Sequence, residues 1–254
     1  MKSFTLFISA LTFLLFVQFS AQSQTTEELL KKPEELYASL QIPQAKKAID
    51  ELLKFAPDNY DILWRATRIY SGYTETLPEK DQEKILFQAK DLAERTIKAN
   101  PQGMHGYLWR GIVTGKLALF KGVFGAADLV KSVNQDVKKA ISLNNGGNGQ
   151  LALAYYVLGR LHFKLAEKPK FVRMPLGLGF GNIDDALTFL KKSVDLNPAY
   201  IMSHLDYARA LIEEDQYDEA RRELLKIPAL KIQTLGDDER KNEAKALLKE
   251  IEGK

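Results

Sequence analysis

The sequence predicts an all-α protein made of antiparallel helical hairpins, stacked one on the next as a right-handed α-solenoid. Three observations predict it. Beyond residue 24, apolar residues recur at helical spacing and no convincing period-2 strand is present. Four segments close alike, LLKFAPDN, TIKANPQG, AISLNNGG and SVDLNPAY, on Pro57, Pro101, Asn145 and Pro198. Small residues recur at one equivalent place in the helices that open the units, namely Thr67, Gly111, Gly159 and Ala208.

Composition narrows the function classes. Of 254 residues, 45% are hydrophobic and 27% charged, enough apolar material for a packed core rather than a disordered chain. The net charge of +3 is close to balance and gives no ground for a nucleic-acid partner. With no cysteine, disulfides, thiolate metal sites, cysteine nucleophiles and a lipid-modified N-terminal cysteine are all excluded. His105, His162 and His204 stand in three different repeats, and neither H-E-x-x-H nor G-x-S-x-G occurs. The sequence therefore predicts no catalytic residues, no metal, no cofactor and no enzyme.

Residues 1–23 have the layout of a secretory signal peptide. Lys2 gives a positive start, Phe4 to Phe19 is nearly all apolar, and Ala21 and Ser23 are the small residues of a cleavage site. The rival reading is an uncleaved membrane anchor, but the run falls short of the roughly 20 residues that a span needs. An exported protein, periplasmic or secreted, is expected. Membrane contact is expected only through this segment, if it stays uncleaved. Residues 24–32 read as a short polar lead-in.

The repeat array is expected over 33–236. Each closing residue has a small apolar residue twelve positions earlier: Ala45, Ala89, Val133 and Ala186. A fifth, Ala220, follows Ala186 by 34 residues. The segments YVLGRLHF…DDALTFLKKSVDLNPAY and SHLDYARALIEEDQYDEARREL resemble two tetratricopeptide (TPR) motifs. The earlier closing positions are 44, 44 and 53 residues apart, longer than that period, and the extra residues are placed inside the hairpins. Long, irregular repeats of this kind, as in YLWRGIVTGKLALFKGVFGAADLVKSVNQDVKKAISLNN, resemble the regulator of microtubule dynamics family. The resemblance implies a TPR-like solenoid with a binding role.

TPR proteins line their concave face with set positions of the first helices. One such position reads Arg68, Ile112, Arg160 and Arg209; another reads Trp64, Leu108, Tyr156 and Leu205. Together with Trp109 they form the expected groove for a protein or peptide partner, since arginine pairs bidentately with carboxylates and aromatics supply anchoring area. The alternative is that these arginines pair with acidic residues of neighbouring helices. The lysine-then-asparagine pattern of carboxylate-clamp TPRs is absent. The insertion KPKFVRMPLGLGFGN, residues 168–182, is too apolar for an idle loop and does not match a phosphate loop. It is expected to fold back and fill a gap between helices. Phe171, Leu176 and Phe180, with Phe120 and Phe124 in LALFKGVFG, are the alternative: a lip or pocket for a small molecule or lipid. Residues 237–254 are expected to form a capping helix, with Asp237 and Asp238 at its positive end.

Overall fold

The computed structural model describes residues 26–254, apart from Gly122 and the side chains of Val123 and Phe124. The signal segment expected at 1–23 and the Phe124 side chain lie outside the described residues. Five hairpins follow one another. The first pairs α1 (26–38) with α2 (Ile42–Phe55). The second pairs α3 (Tyr60–Tyr73) with α4 (Glu79–Ala99), and the third pairs α5 (Met104–Ala118) with α6 (Val123–Leu143). In the fourth, α7 (Gly147–Ala166) meets α9 (Ile183–Leu196), with the single turn α8 (Lys170–Arg173) between them. The fifth pairs α10 (Ile201–Glu213) with α11 (Tyr217–Lys226), and α12 (Asp237–Glu250) packs against both. The described residues form a helical solenoid with no strand.

Local chemistry sets the helix ends. Asn59 caps α3, its side chain accepting from the amides of Asp61 and Ile62 at 2.9 and 3.1 Å. Asn182 caps α9 in the same way, accepting from the Asp185 amide at 2.7 Å. The two tight hairpins share one turn. Leu40 and Asp215 are left-handed, at φ 60° and 56°. The amides that follow them, Gln41 and Gln216, donate back to Leu36 and Leu211 at 2.8 and 2.9 Å. This is the Schellman closure, made without glycine.

The repeat positions read from sequence are core positions. Ala45, Ala89, Val133, Ala186 and Ala220 are all buried. The small residues mark close helix contact. A side-chain carbon on Gly159 would stand 2.7 Å from Leu190 Cγ and 2.9 Å from the Leu190 backbone nitrogen, and one on Gly111 would stand 2.9 Å from Val137 Cγ2.

Two expectations need correction. Residues 26–32 are not a lead-in but the start of α1, whose Leu30 packs into the core beside Ala45, Ile49 and Ile62. The charged surface of TTEELLKKPEE hid a one-sided helix. Nor are the extra residues of the long repeats all insertions. In the second and third hairpins they lengthen helices: α4 and α6 have 21 residues each, against 14 in α2 and α9. The segment 117–125 is thus the end of α5, a short turn and the start of α6. Only 167–182 is a true insertion.

Replacing Gly159 by Ala sets two effects against each other. Helix propensity favours alanine by about 1 kcal/mol, while the backbone nitrogen at 2.9 Å cannot step aside. Overpacking of this kind costs about 1–3 kcal/mol. We expect Gly159→Ala to lower Tm by several degrees in thermal unfolding followed by circular dichroism; an unchanged or raised Tm would show that α7 and α9 have room to separate.

Candidate functional site

The first helices of successive hairpins lie side by side and carry the residues that sequence assigns to the groove. At the N-terminal end, Arg68 of α3 donates to both oxygens of Glu34 on α1 at 2.5 Å. Its guanidinium lies over Tyr37, 4.4 Å from the ring centre, and also contacts Trp64. Arg65 adds a second contact to Glu34 at 3.4 Å. Trp64 is buried: one face stacks on His105 of α5 at 4.3 Å and 16°, and Arg65 lies over the ring. The Tyr60 hydroxyl and His105 Nδ1 are hydrogen-bond partners at 2.9 Å. Lys116 then ties α5 to the end of α3, donating to the Ser71 carbonyl at 2.8 Å and to Glu75 at 2.7 Å.

At the C-terminal end, Asp206 of α10 is the hub. Its side chain is 2% exposed and accepts from Tyr156 and Arg160 of α7 and from Arg209 of α10. Arg209 reaches on to Glu243 of α12. One connected network therefore joins α7, α10 and α12. Arg160 keeps 44% of its side chain exposed, and its bond to Asp206 uses one of five N–H donors.

The structure brings Tyr156, Arg160 and Arg209 together, and Trp64 with Arg68, but does not present all the predicted contacts. Trp64, Leu108, Trp109, Tyr156 and Leu205 are core side chains, with Leu108 and Leu205 almost completely buried. Ile112 is half-buried against the cluster around Leu108 and Val137. These positions face the neighbouring helix, because a long first helix needs a wide apolar seam to pack on both sides. Arg68, Arg160 and Arg209 are ion-paired rather than free, as the alternative reading had it. Asp206, Glu34 and Glu243 were missed. The one available signal was Asp206 itself, a carboxylate amid the apolar SHLDYARAL helix that had to be partnered.

The insertion divides in two. Leu176, Leu178 and Phe180 pack onto Ala127 and Val130 of α6 and Leu161 and Leu165 of α7. They fill the α6–α7 gap. Phe120 is half-buried against Leu86, Val113 and Leu117. Among the described residues of the predicted lip, Phe171 alone stands out, 80% exposed. A cleft of about 520 Å³ lies elsewhere, between α2 and α3, lined by Lys46, Asp50, Leu53, Tyr70 and Tyr73 among others. The histidines are structural. His204 is buried between Glu223 at 2.6 Å and the Pro198 carbonyl at 2.9 Å. His162 is buried with its edges against Phe180 and Phe189. Among the described residues no cluster of three or more His, Asp or Glu could hold a metal ion.

The family model described as "Regulator of microtubule dynamics protein 1-3" matches residues 29–252. Regulator of microtubule dynamics protein 3 of Rattus norvegicus is 27% identical over 142 residues, 55% of this chain and 30% of that protein. Regulator of microtubule dynamics protein 2 of Mus musculus is 27% identical over 179 residues, 67% of this chain and 42% of that protein. The chain thus spans less than half the length of these curated relatives. Among solved structures, TTC0263, a thermophilic TPR protein of Thermus thermophilus, superposes with a TM-score of 0.62 at 16% identity, covering 87% of this chain and 98% of that one. PilF of Pseudomonas aeruginosa superposes with a TM-score of 0.53 at 13% identity, covering 92% and 95%. The shared feature is the fold.

Burial of the His105 ring, with the positive Arg65 beside it, pulls its pKa down to about 4. In the unfolded chain the ring takes up a proton near 6.5. Between these values the unfolded state binds more protons, so stability falls as pH drops from about 6.5 to about 4. In a proton NMR titration we expect the His105 ring to stay neutral as pH is lowered through the ordinary histidine range; protonation near pH 6.5 would mean that the stack on Trp64 opens to water.

Proposed function

This chain belongs to the regulator of microtubule dynamics protein 1-3 family, and we propose that it is an exported TPR scaffold that holds a protein or peptide segment along its first-helix face. The reading is one of binding rather than catalysis. Its main support is Arg160. The guanidinium is fixed in place by buried Asp206, yet nearly half of the side chain faces water with donors to spare. An arginine held this way has lost its rotamer freedom before a partner arrives, which lowers the entropic cost of binding. Arg68 and Arg209 are ion-paired too, with the partly exposed Glu34 and Glu243, and show less of their own side chains to water. A partner carboxylate would extend these networks rather than fill an empty clamp. The fold shared with TPR proteins supports a protein partner in general.

The export part of the reading rests on the apolar run and small-residue site in residues 1–23. It calls for a partner in the periplasm or outside the cell. Fusing residues 1–40 to a reporter active only outside the cytoplasm tests it; reporter activity that depends on the Phe4–Phe19 run is expected, and silence would place the scaffold inside the cell.

For the scaffold itself, affinity capture with the full chain is compared with capture by Arg68→Ala, Arg160→Ala and Arg209→Ala combined. The wild type is expected to retain a protein that the triple variant loses, and Arg68→Ala alone, which leaves the Asp206 network intact, is expected to weaken capture with circular dichroism unchanged. A partner held equally by wild type and triple variant would remove the arginines from the binding face.

A further inference from the structure

The insertion between α7 and α9 is a built element, and its outer surface has no role in the scaffold described above. Its centre is Arg173, 5% exposed. The guanidinium donates to the carbonyls of Lys168, Leu178, Gly179 and Gly181, at 3.2, 3.4, 3.2 and 2.6 Å. No carboxylate pairs with it among the described residues. These bonds draw 168–181 into one closed loop, and Leu176, Leu178 and Phe180 fix that loop to α6 and α7.

With the inner side of the loop occupied, Phe171 and Met174 are left outside. They stand one helical turn apart around α8 and are 80% and 60% exposed. A third apolar tip stands at the same end of the array, where every hairpin turns from first to second helix. Leu119, in the turn between α5 and α6, is 84% exposed. The loop itself lies on α6 just beyond that turn, with Gly177 against the Lys131 side chain.

The charge of the loop has one sign. Residues 168–182 hold Lys168, Lys170 and Arg173 and no acidic residue, and Glu167, which precedes them, is paired with Lys164 at 2.6 Å. Lys168 and Lys170 are exposed and make no ion pair among the described residues. Lys121, which pairs with Glu83, stands two positions beyond Leu119. Large apolar tips beside unpaired lysines suit a surface that is apolar within and anionic at its boundary. A pocket in a protein would take one tip; three tips spread over two hairpin turns suit a continuous plane. No described helix is long and apolar enough to cross a membrane, so the contact would be superficial.

We propose that this end of the array, through Phe171, Met174 and Leu119 with Lys168 and Lys170, docks on the surface of an anionic lipid bilayer. The contact is separate from any made by residues 1–23 and from the partner face on the first helices.

The test is flotation of the full chain with vesicles of phosphatidylcholine alone, or with about 30% phosphatidylserine or phosphatidylglycerol, which gives a negative surface. Wild type is compared with Phe171→Ser/Met174→Ser, with Lys168→Glu/Lys170→Glu, and with Leu225→Ser, an exposed site away from the loop. Residues 1–23 are common to all four chains, so differences report on the loop. Near a negative surface each lysine adds to partitioning, and each exposed apolar tip adds to it by burial at the acyl boundary. We therefore expect either double variant to lower partitioning onto anionic vesicles at least about tenfold, and Leu225→Ser to leave it unchanged. Equal binding by all four chains, or equal binding to neutral and anionic vesicles, would overturn the proposal. So would failure of wild type to float with anionic vesicles. Because all these side chains are exposed, an unaltered thermal transition is expected in every variant, which separates loss of docking from loss of fold.

Discussion

Close approach of two helices within each hairpin is the constraint on which the rest of the structure depends. Gly159 lets the Leu190 backbone come within 2.9 Å of where a side-chain carbon would stand, and Gly111 does the same for the Val137 side chain. Thr67 and Ala208 take the equivalent place in the other hairpins, and both are completely buried. Helix separation fixes rotation, because ridges can enter grooves only at a set depth. Rotation in turn decides where the next residue points. Arg68, Ile112, Arg160 and Arg209 each follow the small residue by one position and so leave the hairpin contact for the side that meets the neighbouring first helix.

At that side, electrostatics determines geometry more than stability. Burying the Asp206 carboxylate costs several kcal/mol before any bond forms. Two arginines and a tyrosine offset this, but Arg160 stays 44% exposed, so water screens its share. The net stabilisation is small beside that of the apolar cluster around Leu190, Leu205 and Leu211. The network instead allows few relative positions of α7, α10 and α12, since three donors must converge on two oxygens. Asp237 works in the same manner at the base of α12, accepting from the amides of Gln233 and Thr234 at 2.9 and 2.8 Å. The terminal helix is thereby held at both its start and its middle.

This division explains what the sequence disclosed. Ala45, Ala89 and Ala186 each stand twelve residues before a closing proline, and Ala220 fills the same core place in the last hairpin, because every hairpin meets the same steric demand, so the solenoid was legible. The arginines were legible as a column, but their partners were not. Glu34, Asp206 and Glu243 stand 34, 46 and 34 residues from Arg68, Arg160 and Arg209, and no local pattern marks those pairs; the contact of Arg209 with Asp206, three residues before it on α10, is the local exception. Aromatic and apolar groove positions were misread because a side chain between two first helices has the same periodicity as one facing a ligand. LALFKGVFG was grouped with the insertion at 168–182 as a second lip; in the fold it is the end of α5, a turn and the first turn of α6, which holds Gly125.

Arg173 shows how a loop can be both rigid and outwardly apolar. A guanidinium at 5% exposure would ordinarily require a carboxylate. Here four carbonyls take its place, and carbonyl dipoles satisfy hydrogen bonds without cancelling charge. A carboxylate partner would have neutralised the loop. Among the described residues of the loop, Leu176, Leu178 and Phe180 fill the α6–α7 gap, while Phe171 and Met174 stay outside it, Met174 lying over Gly179. Exposed apolar side chains of that size on a loop held closed by a buried cation leave the surface beside Lys168 and Lys170 both apolar and positive. Neither property follows from the demands of the repeat, which the other hairpins meet with turns of three to five residues.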